Sequence, residues 1–305
     1  MKVLLLVNGS ASSVTARARV LIQSIIAENH DVELALTSRR GHASRLARGA
    51  ASTGTKIVFV LGGDGTLNEA ANGLAGSDCA LAPLPGGSTN VFARTLGIPD
   101  DPLEAVRSLL SAIDANQIRS VGLGEVDGRY FLFHCGMGFD AAVVQQVERK
   151  AALKRYAGHP LFIWAGFNTW LNHYDHSSPR MSVEHGDKLI NDSYFTVVLN
   201  TNPYTYLGHR PLSLAPAATL DNGLSLVVLR TMAFKPVMSI VKDLISGKQL
   251  REGNTLHLAD NLPEIEIAGH KPFPYQLDGD FLGEVSSLKF TWVPEKLRLV
   301  CPLLP

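Results

Sequence analysis

The chain has little cysteine: three residues, Cys79, Cys135 and Cys301, scattered and odd in number. That excludes a disulfide framework and a cysteine-built metal centre, and it makes a reducing compartment, the cytoplasm, the expected location. Excess charge is missing too. Twenty-eight Lys and Arg balance 28 Asp and Glu, with a sequence pI near 7.2. No global positive field therefore draws the protein to nucleic acid, and any membrane contact has to be local. Long apolar runs are also missing. The run at 3–7 passes at once into Asn8-Gly9-Ser10, too short for a signal-peptide core, and nothing approaches the roughly 18 residues of a spanning helix. A soluble protein, peripheral at the inner face of the membrane at most, is the expectation. The ten histidines show no zinc-ligand spacing beside a third donor, and no nucleophilic serine elbow or Cys/His pairing is visible.

Glycine is plentiful at 27 residues, and one turn uses it in a way that organises the chain. Gly62-Gly63-Asp64-Gly65-Thr66-Leu67-Asn68-Glu69 follows a buried apolar run at 57–61 and leads into a helix. Glycines let backbone amides approach a polyanion, and a helix that starts here points its positive end at them, so the turn predicts a phosphate site. Thr66 and Glu69 have capping-box spacing, which predicts the helix start at Thr66. Asp64 would repel phosphate unless a cation stood between them, so it predicts magnesium. About two dozen residues on, a second short strand at 80–84 runs into Pro85-Gly86-Gly87-Ser88-Thr89-Asn90 and a helix at 91–96. Two such loops after adjacent parallel strands belong side by side at one sheet edge, where open α/β folds bind ligands.

These two stretches, extended through Val91-Phe92-Ala93-Arg94, resemble the catalytic signature of the diacylglycerol kinase and sphingosine kinase family, in particular its soluble bacterial lipid kinase branch. NAD kinases share the first motif, and the second separates the two. The resemblance runs along nearly the whole chain. It implies ATP and Mg2+ as cofactors and a lipid alcohol as acceptor, diacylglycerol first. The nucleotide would meet Asn8, Thr37, Gly62, Gly63, Asp64, Gly65, Thr66, Asn68, Glu69, Gly86, Gly87, Ser88, Thr89 and Asn90, with Gly41-His42-Ala43 also at the family's spacing.

Repeated strand-helix-strand units through residue 120 predict a parallel sheet. Ser12 or Ser13 caps a first helix with Val14, Ala18, Leu21, Ile22, Ile25 and Ile26 inward, and Asp101-Pro102-Leu103-Glu104 caps another. From 118 the pattern changes to alternating strands at 121–126, 129–135, 181–184, 193–200, 224–229, 264–268 and 288–293, the first two joined by an Asp127-Gly128 turn. The expected fold class is an α/β nucleotide-binding domain (1–120, with 295–305 returning) and a mainly antiparallel β-sandwich for the lipid (121–294), with a helical insertion at about 140–176 and the active site in the cleft between domains. In that insertion Phe162, Trp164, Phe167, Trp170 and Tyr174 suit an acyl-chain cleft, a membrane interface or plain core, and Lys150, Lys154 and Arg155 suit lipid head groups or a solvated face.

Gly136-Met137-Gly138-Phe139-Asp140 resembles the family's domain-junction segment, with Asp140 a helix cap or a ligand; His134 is expected as a satisfied core residue. Asp221-Asn222-Gly223 departs from the family's acidic pattern, which leaves a second, structural magnesium open; by itself Asn222-Gly223 is a good hairpin turn. Gln276-Leu277-Asp278-Gly279-Asp280 places Asp280 where the family carries the glutamate proposed to take the acceptor's proton. Asp280 and Asp64 are thus the catalytic candidates, and Asp64 and Asp278 the carboxylates for a metal; Asp278-Gly279 also reads as a hairpin turn. The alternatives are a sphingoid-base or other lipid kinase, an NAD kinase, or a silent nucleotide-binding lipid sensor. Expected partners are a lipid at a membrane surface and no nucleic acid, with a homodimer open.

Overall fold

The computed structural model describes residues 1–149 and 178–302. The chain forms two compact units, Met1–Leu123 with Pro294–Pro305, and Gly124–Val293.

In the first unit, β1 (Lys2–Val7), β2 (Asp31–Leu36), β3 (Ile57–Gly62) and β4 (Ala80–Pro85) form a parallel sheet in the order β2-β1-β3-β4. Lys2 lies opposite Asp31, Val3 opposite Ile57, and Ile57 opposite Ala80. Every residue of β3 and β4 is buried, as parallel strands covered on both faces require. Helices α1 (Ala16–Ala27), α2 (His42–Ser52) and α3 (Asp64–Leu74) fill the crossovers, and α4 (Val91–Thr95) and α5 (Pro102–Asp114) follow β4. All four strands run the same way, so Asn8, Thr37, Gly63 and Gly86 leave them at a single edge. Leu299 pairs in parallel with Leu81, which brings the chain's end back to this sheet.

Two helix starts agree and disagree with the sequence in an instructive way. Asp101 caps α5 as expected, its carboxylate accepting from the amides of Leu103 and Glu104 at 2.9 Å. The cap of α1 is instead Thr15, whose hydroxyl accepts from Ala18 N–H, because Ser13 is used elsewhere. Only Ile22 and Ile26 of that helix are fully buried, and Leu21 faces water.

The second unit begins within β5 (Ile118–Val126), which forms a hairpin with β6 (Arg129–Phe131) through Asp127 and Gly128, both at positive φ. There follow β7 (His134–Gly138), α6 (Phe139–Arg149), β8 (Met181–His185), β9 (Lys188–Ser193), β10 (Phe195–Leu199), β11 (Thr205–Leu207), β12 (Arg210–Leu212), β13 (Leu224–Leu229), α7 (Phe234–Ser246), β14 (Leu256–Leu262), β15 (Glu264–Leu277) and β16 (Asp280–Val300). Antiparallel pairing gives the order β14-β13-β10-β7-β15-β16, with β8 and β9 branching from β15. Alternation along β10 and β13 separates two cores. Val198, Leu226 and Val228 face a cluster with Phe131, Phe273 and Phe290, while Val197, Leu199, Val227 and Leu229 face α6 and α7.

Three expectations change here. The strand expected at 129–135 is broken at Leu132 and Phe133. The strands expected at 264–268 and 288–293 are parts of a much longer β15–β16 ribbon, whose alternation is interrupted by a register shift between Ala268 and Phe273. β9, β14 and α7 are additions to the strands and helices expected above. The aromatic helix expected at 160–176 and the basic group Lys150, Lys154 and Arg155 lie outside the described residues.

The approach of α2 to α3 depends on small side chains. A Cβ on Gly73 would stand 2.4 Å from the Ser44 carbonyl oxygen and 3.0 Å from Ala47 Cβ. Helix propensity alone makes Gly73→Ala stabilising by about 1 kcal/mol. The overlap with a backbone oxygen reverses that sign, so the variant is expected to lose about 1–3 kcal/mol in urea unfolding.

Candidate functional site

Two loops meet at the C-terminal edge of the parallel sheet, and they meet backbone to backbone. Gly86 N–H donates to the Gly62 carbonyl at 3.0 Å. A Cβ on Gly86 would lie 2.8 Å from Gly62 N, and one on Gly87 would lie 2.8 Å from Gly63 Cα. A Cβ on Gly62 would strike Thr66 Cβ at the same distance of 2.8 Å. Gly62, Gly86 and Gly87 are therefore glycine because the protein itself occupies the space. Gly63 differs: its Cβ would meet only Gly87 Cα, at an ordinary 3.5 Å. Of these four, it is the glycine whose missing side chain the fold does not demand.

α3 starts two residues earlier than the Thr-x-x-Glu spacing implies, with Gly63 as N-cap and Asp64 and Gly65 in its first turn. The capping box does not form, because its members are engaged by other segments. Thr66 Oγ1 accepts from Asn8 Nδ2 at 2.9 Å, and Asn8 Oδ1 accepts from Ser10 N–H. Glu69 reaches α2, where its two oxygens accept from Gly41 N–H at 2.7 Å and Ala43 N–H at 3.1 Å. Asp64 does the same for α4, accepting from Val91 N–H and Phe92 N–H at 3.0 Å each. Two acids on one helix thus satisfy the orphan amides of two others.

The second loop is held by Asn90, a residue in the left-handed region at φ 51°. Its Oδ1 accepts from Gly87 N–H at 2.7 Å, and its Nδ2 donates to the Gly87 carbonyl and to Asp100 Oδ1. Ser13, expected as a cap of α1, instead ties that helix's approach to this loop: its N–H donates to the Gly86 carbonyl and its hydroxyl to the Gly87 carbonyl at 2.9 Å. Ser88 is exposed and Thr89 half-buried at the loop's tip, while Thr37 follows β2 at the same edge with its N–H on the Val7 carbonyl. Asn68 is buried within α3, its Oδ1 accepting from Asn72 Nδ2, so of the residues expected at the nucleotide, Asn8, Asp64, Thr66, Asn68, Glu69 and Asn90 all have side chains engaged by other parts of the fold.

In the second unit, the turn Asp278-Gly279 at the end of the β15–β16 ribbon has positive φ at both positions, the two-residue hairpin foreseen. Asp278 is 3% exposed. Its carboxylate accepts three amides, Leu132 N–H at 2.7 Å, Phe133 N–H at 3.0 Å and His134 N–H at 3.1 Å. This is the physical reason for the break between β6 and β7, and it gives the carboxylate expected at a metal a structural role within the fold. Among the described residues no group of three His, Cys, Asp or Glu is placed to hold a metal ion.

Asp280 follows on β16 opposite Leu277, half-buried. Its hairpin is braced through Gln276, whose Oε1 accepts from Gly279 N–H at 2.8 Å and whose Nε2 donates to Asp140 Oδ2 at 2.7 Å. The other oxygen of Asp140 accepts from the Tyr204 hydroxyl. Gly136 is glycine for this reason: a Cβ there would coincide with Asp140 Oδ2. Burial raises the Asp140 carboxyl pKa above its usual range, against the two hydrogen bonds that lower it. Asp140 proves to be neither a plain cap nor an exposed ligand but the centre of a buried polar bridge. In the Asp221-Asn222-Gly223 segment, Gly223 N–H donates to Asn261 Oδ1, and a Cβ on Gly223 would meet the Leu262 carbonyl at 2.7 Å.

His134 is buried against Tyr204, ring centroids 4.5 Å apart and planes inclined by 39°, but it is not satisfied: Nδ1 has no hydrogen-bond partner. Burial lowers its pKa to about 3. Between about pH 6.5 and 3 the unfolded chain binds a proton at His134 that the folded chain refuses, so stability falls as pH falls across that window. His134→Phe keeps a ring against Tyr204 and removes the titration. Its urea-unfolding free energy is expected to decline less steeply from pH 6.5 downward than the wild type's, by up to one proton, or about 1.4 kcal/mol per pH unit. Asp278→Asn carries a second expectation. It presents NH₂ hydrogens to at least one of three buried amides, and a loss of about 2–4 kcal/mol is expected in the same assay.

Residues 2–126 match the model described as the diacylglycerol kinase catalytic domain, and residues 134–301 match the YegS C-terminal NAD kinase β-sandwich-like domain. The second match covers more than half of the chain. A Pseudomonas fluorescens protein named "Probable lipid kinase YegS-like" is 29% identical over 99% of this chain and 95% of its own length. The diacylglycerol kinase of Bacillus subtilis is 25% identical over 86% of this chain and 84% of its own. Among solved structures, a diacylglycerol kinase from Bacillus anthracis superposes with a TM-score of 0.73 at 22% identity, covering 98% of this chain and 96% of that one. An NAD kinase from Archaeoglobus fulgidus in complex with ATP has a TM-score of 0.54 at 9% identity, covering 99% and 94%, a likeness of fold alone. The two matches follow one another along the chain as its two units do, and this protein belongs to the family of bacterial lipid kinases that pair a diacylglycerol kinase catalytic domain with a YegS-type C-terminal domain.

Proposed function

We propose that the protein transfers the γ-phosphoryl group of ATP to the hydroxyl of a lipid alcohol, with diacylglycerol as acceptor and phosphatidic acid as product. The observation that carries this reading is the juxtaposition of the two glycine loops, with Asp64 lying on one and bonded to the first amides after the other. Backbone amides at the start of α3 and an unobstructed Gly63 suit nucleotide phosphates.

The fit to magnesium rests on Asp64. The two amides use part of the acceptor capacity of its carboxylate, and Mg²⁺ is ordinarily held by one or two carboxylates together with substrate phosphates. Bound there, the ion would neutralise charge developing on the transferred group. Asp64 would hold it, and the amides of Val91 and Phe92 fix the direction in which that carboxylate points.

Asp280 is the assigned proton acceptor. In a loose phosphoryl-transfer transition state the attacking hydroxyl surrenders its proton late, so a carboxylate held still beside it is a sufficient acceptor. The clamp of Asp278 on Leu132, Phe133 and His134, and the brace from Gly279 through Gln276 to Asp140, supply that rigidity.

The test is transfer of labelled phosphate from ATP into a panel of diacylglycerol, a sphingoid base and NAD. Product on diacylglycerol is expected, and product on NAD alone, or on nothing, contradicts the proposal. Asp280→Asn keeps volume and turn while removing the proton acceptor, so kcat is expected to fall by about 10²–10⁴-fold with ATP affinity nearly unchanged. A variant as fast as the wild type would move the role away from Asp280.

A further inference from the structure

α7 (Phe234–Ser246) is a helix with two apolar sides, and none of its residues is fully buried. Val237, Ile240 and Leu244 rest on the sheet core. At about 100° per residue, Phe234, Val241 and Ile245 fall within one narrow arc beside them. These three are 62%, 37% and 43% exposed, and the half-buried Met238 lies in the same arc. Isolated exposed apolar residues are ordinary, but a continuous row along one helix is not.

Charge runs beside the row. Lys235 and Lys242 occupy the next arc round from it. At its C-terminal end stand Lys248 and Arg210, the latter donating to the Ile245 carbonyl at 2.7 Å. The helix's one acid, Asp243, lies on the far side and approaches Lys248 at 3.8 Å. An apolar edge bordered by lysines is the pattern of a helix lying in a membrane interface, where the apolar side chains enter and the lysines extend to lipid phosphates. A second copy is a poorer occupant: an antiparallel two-fold contact on this row would bring like-charged lysines together. A stripe of four side chains is also narrow beside the roughly 800 Å² per partner of a stable protein interface.

We infer that α7 is a docking edge for an anionic bilayer, seated through Phe234, Val241 and Ile245 with Lys235 and Lys242 on the head groups. The inference rests on the proposed lipid acceptor, which resides in a bilayer. It also accounts for how a chain with no net charge finds an anionic surface, since the attraction is confined to one helix.

The experiment floats the full chain with vesicles of phosphatidylglycerol and phosphatidylethanolamine, and separately with phosphatidylcholine alone. The wild type is expected to float with the anionic vesicles and not the neutral ones. The Phe234→Ser/Ile245→Ser double variant is expected to partition at least tenfold less, and Lys235→Glu/Lys242→Glu to lose the salt-sensitive part. Both should keep the wild-type melting temperature and wild-type turnover of a short-chain acceptor dissolved as monomer. Equal flotation of the double variant and the wild type overturns the inference. So does a double variant that turns a dimer into a monomer by light scattering with its vesicle binding intact. A wild type inactive on every acceptor overturns the kinase proposal on which the inference rests, whereas the flotation contrast reports on the docking edge by itself.

Discussion

The structure depends on one contact between two stretches of bare backbone. Gly62 and Gly63 lie against Gly86 and Gly87 so closely that a methyl group on either Gly86 or Gly87 would overlap the facing backbone, while one on Gly62 would strike Thr66. Such an approach requires β3 and β4 to be adjacent and in register, which the pairing of Ile57 with Ala80 through Gly62 with Pro85 provides. It also sets where α3 and α4 begin, and hence where Asp64 can reach. The proposed phosphate site is thus assembled by the protein itself, because the loops are held by each other and by Ser13 and Asn90.

Carboxylates serve as anchors for backbone amides in both units. Asp64 holds the start of α4, Glu69 the start of α2, and Asp278 the strand break at Leu132 and Phe133. Each joins segments far apart in the chain, so each contributes where loop closure costs most entropy, and the charged acceptor makes each bond stronger than a neutral one. Asp280 is therefore presented from a hairpin whose neighbours are all committed. The unpartnered Nδ1 of His134 close to this bridge, and the upward pKa shift of Asp140, are the electrostatic cost of burying so many polar groups together.

Much of the first unit was legible because its signals are local. Alternation of apolar runs with glycine turns gave the parallel strands within a residue or two, and the Asp101 cap and the Asp278-Gly279 turn read directly from residue type. What failed elsewhere was the assumption that a side chain serves its own element or its nearest neighbours. Glu69 matches a capping box but caps another helix; Ser13 looks like a cap but fastens a loop; His134 looks satisfied but lacks a partner. The roles of Gln276 and Tyr204, and of Gly136 as the space for Asp140, depend on contacts across tens of residues that no spacing encodes. The long β15–β16 ribbon was seen only at its ends because a register shift interrupts its alternation.

Gly63 offers the most direct test, because it separates what the fold needs from what a ligand needs. Its added Cβ would make only ordinary contact with Gly87, so Gly63→Ala is expected to fold with an unchanged melting temperature. If this edge receives nucleotide phosphates, calorimetric titration with ATP and magnesium should show affinity at least tenfold weaker for Gly63→Ala and weaker again for Gly63→Val. A folded Gly63→Val that binds MgATP as the wild type does would contradict the assignment of the paired glycine loops to the nucleotide.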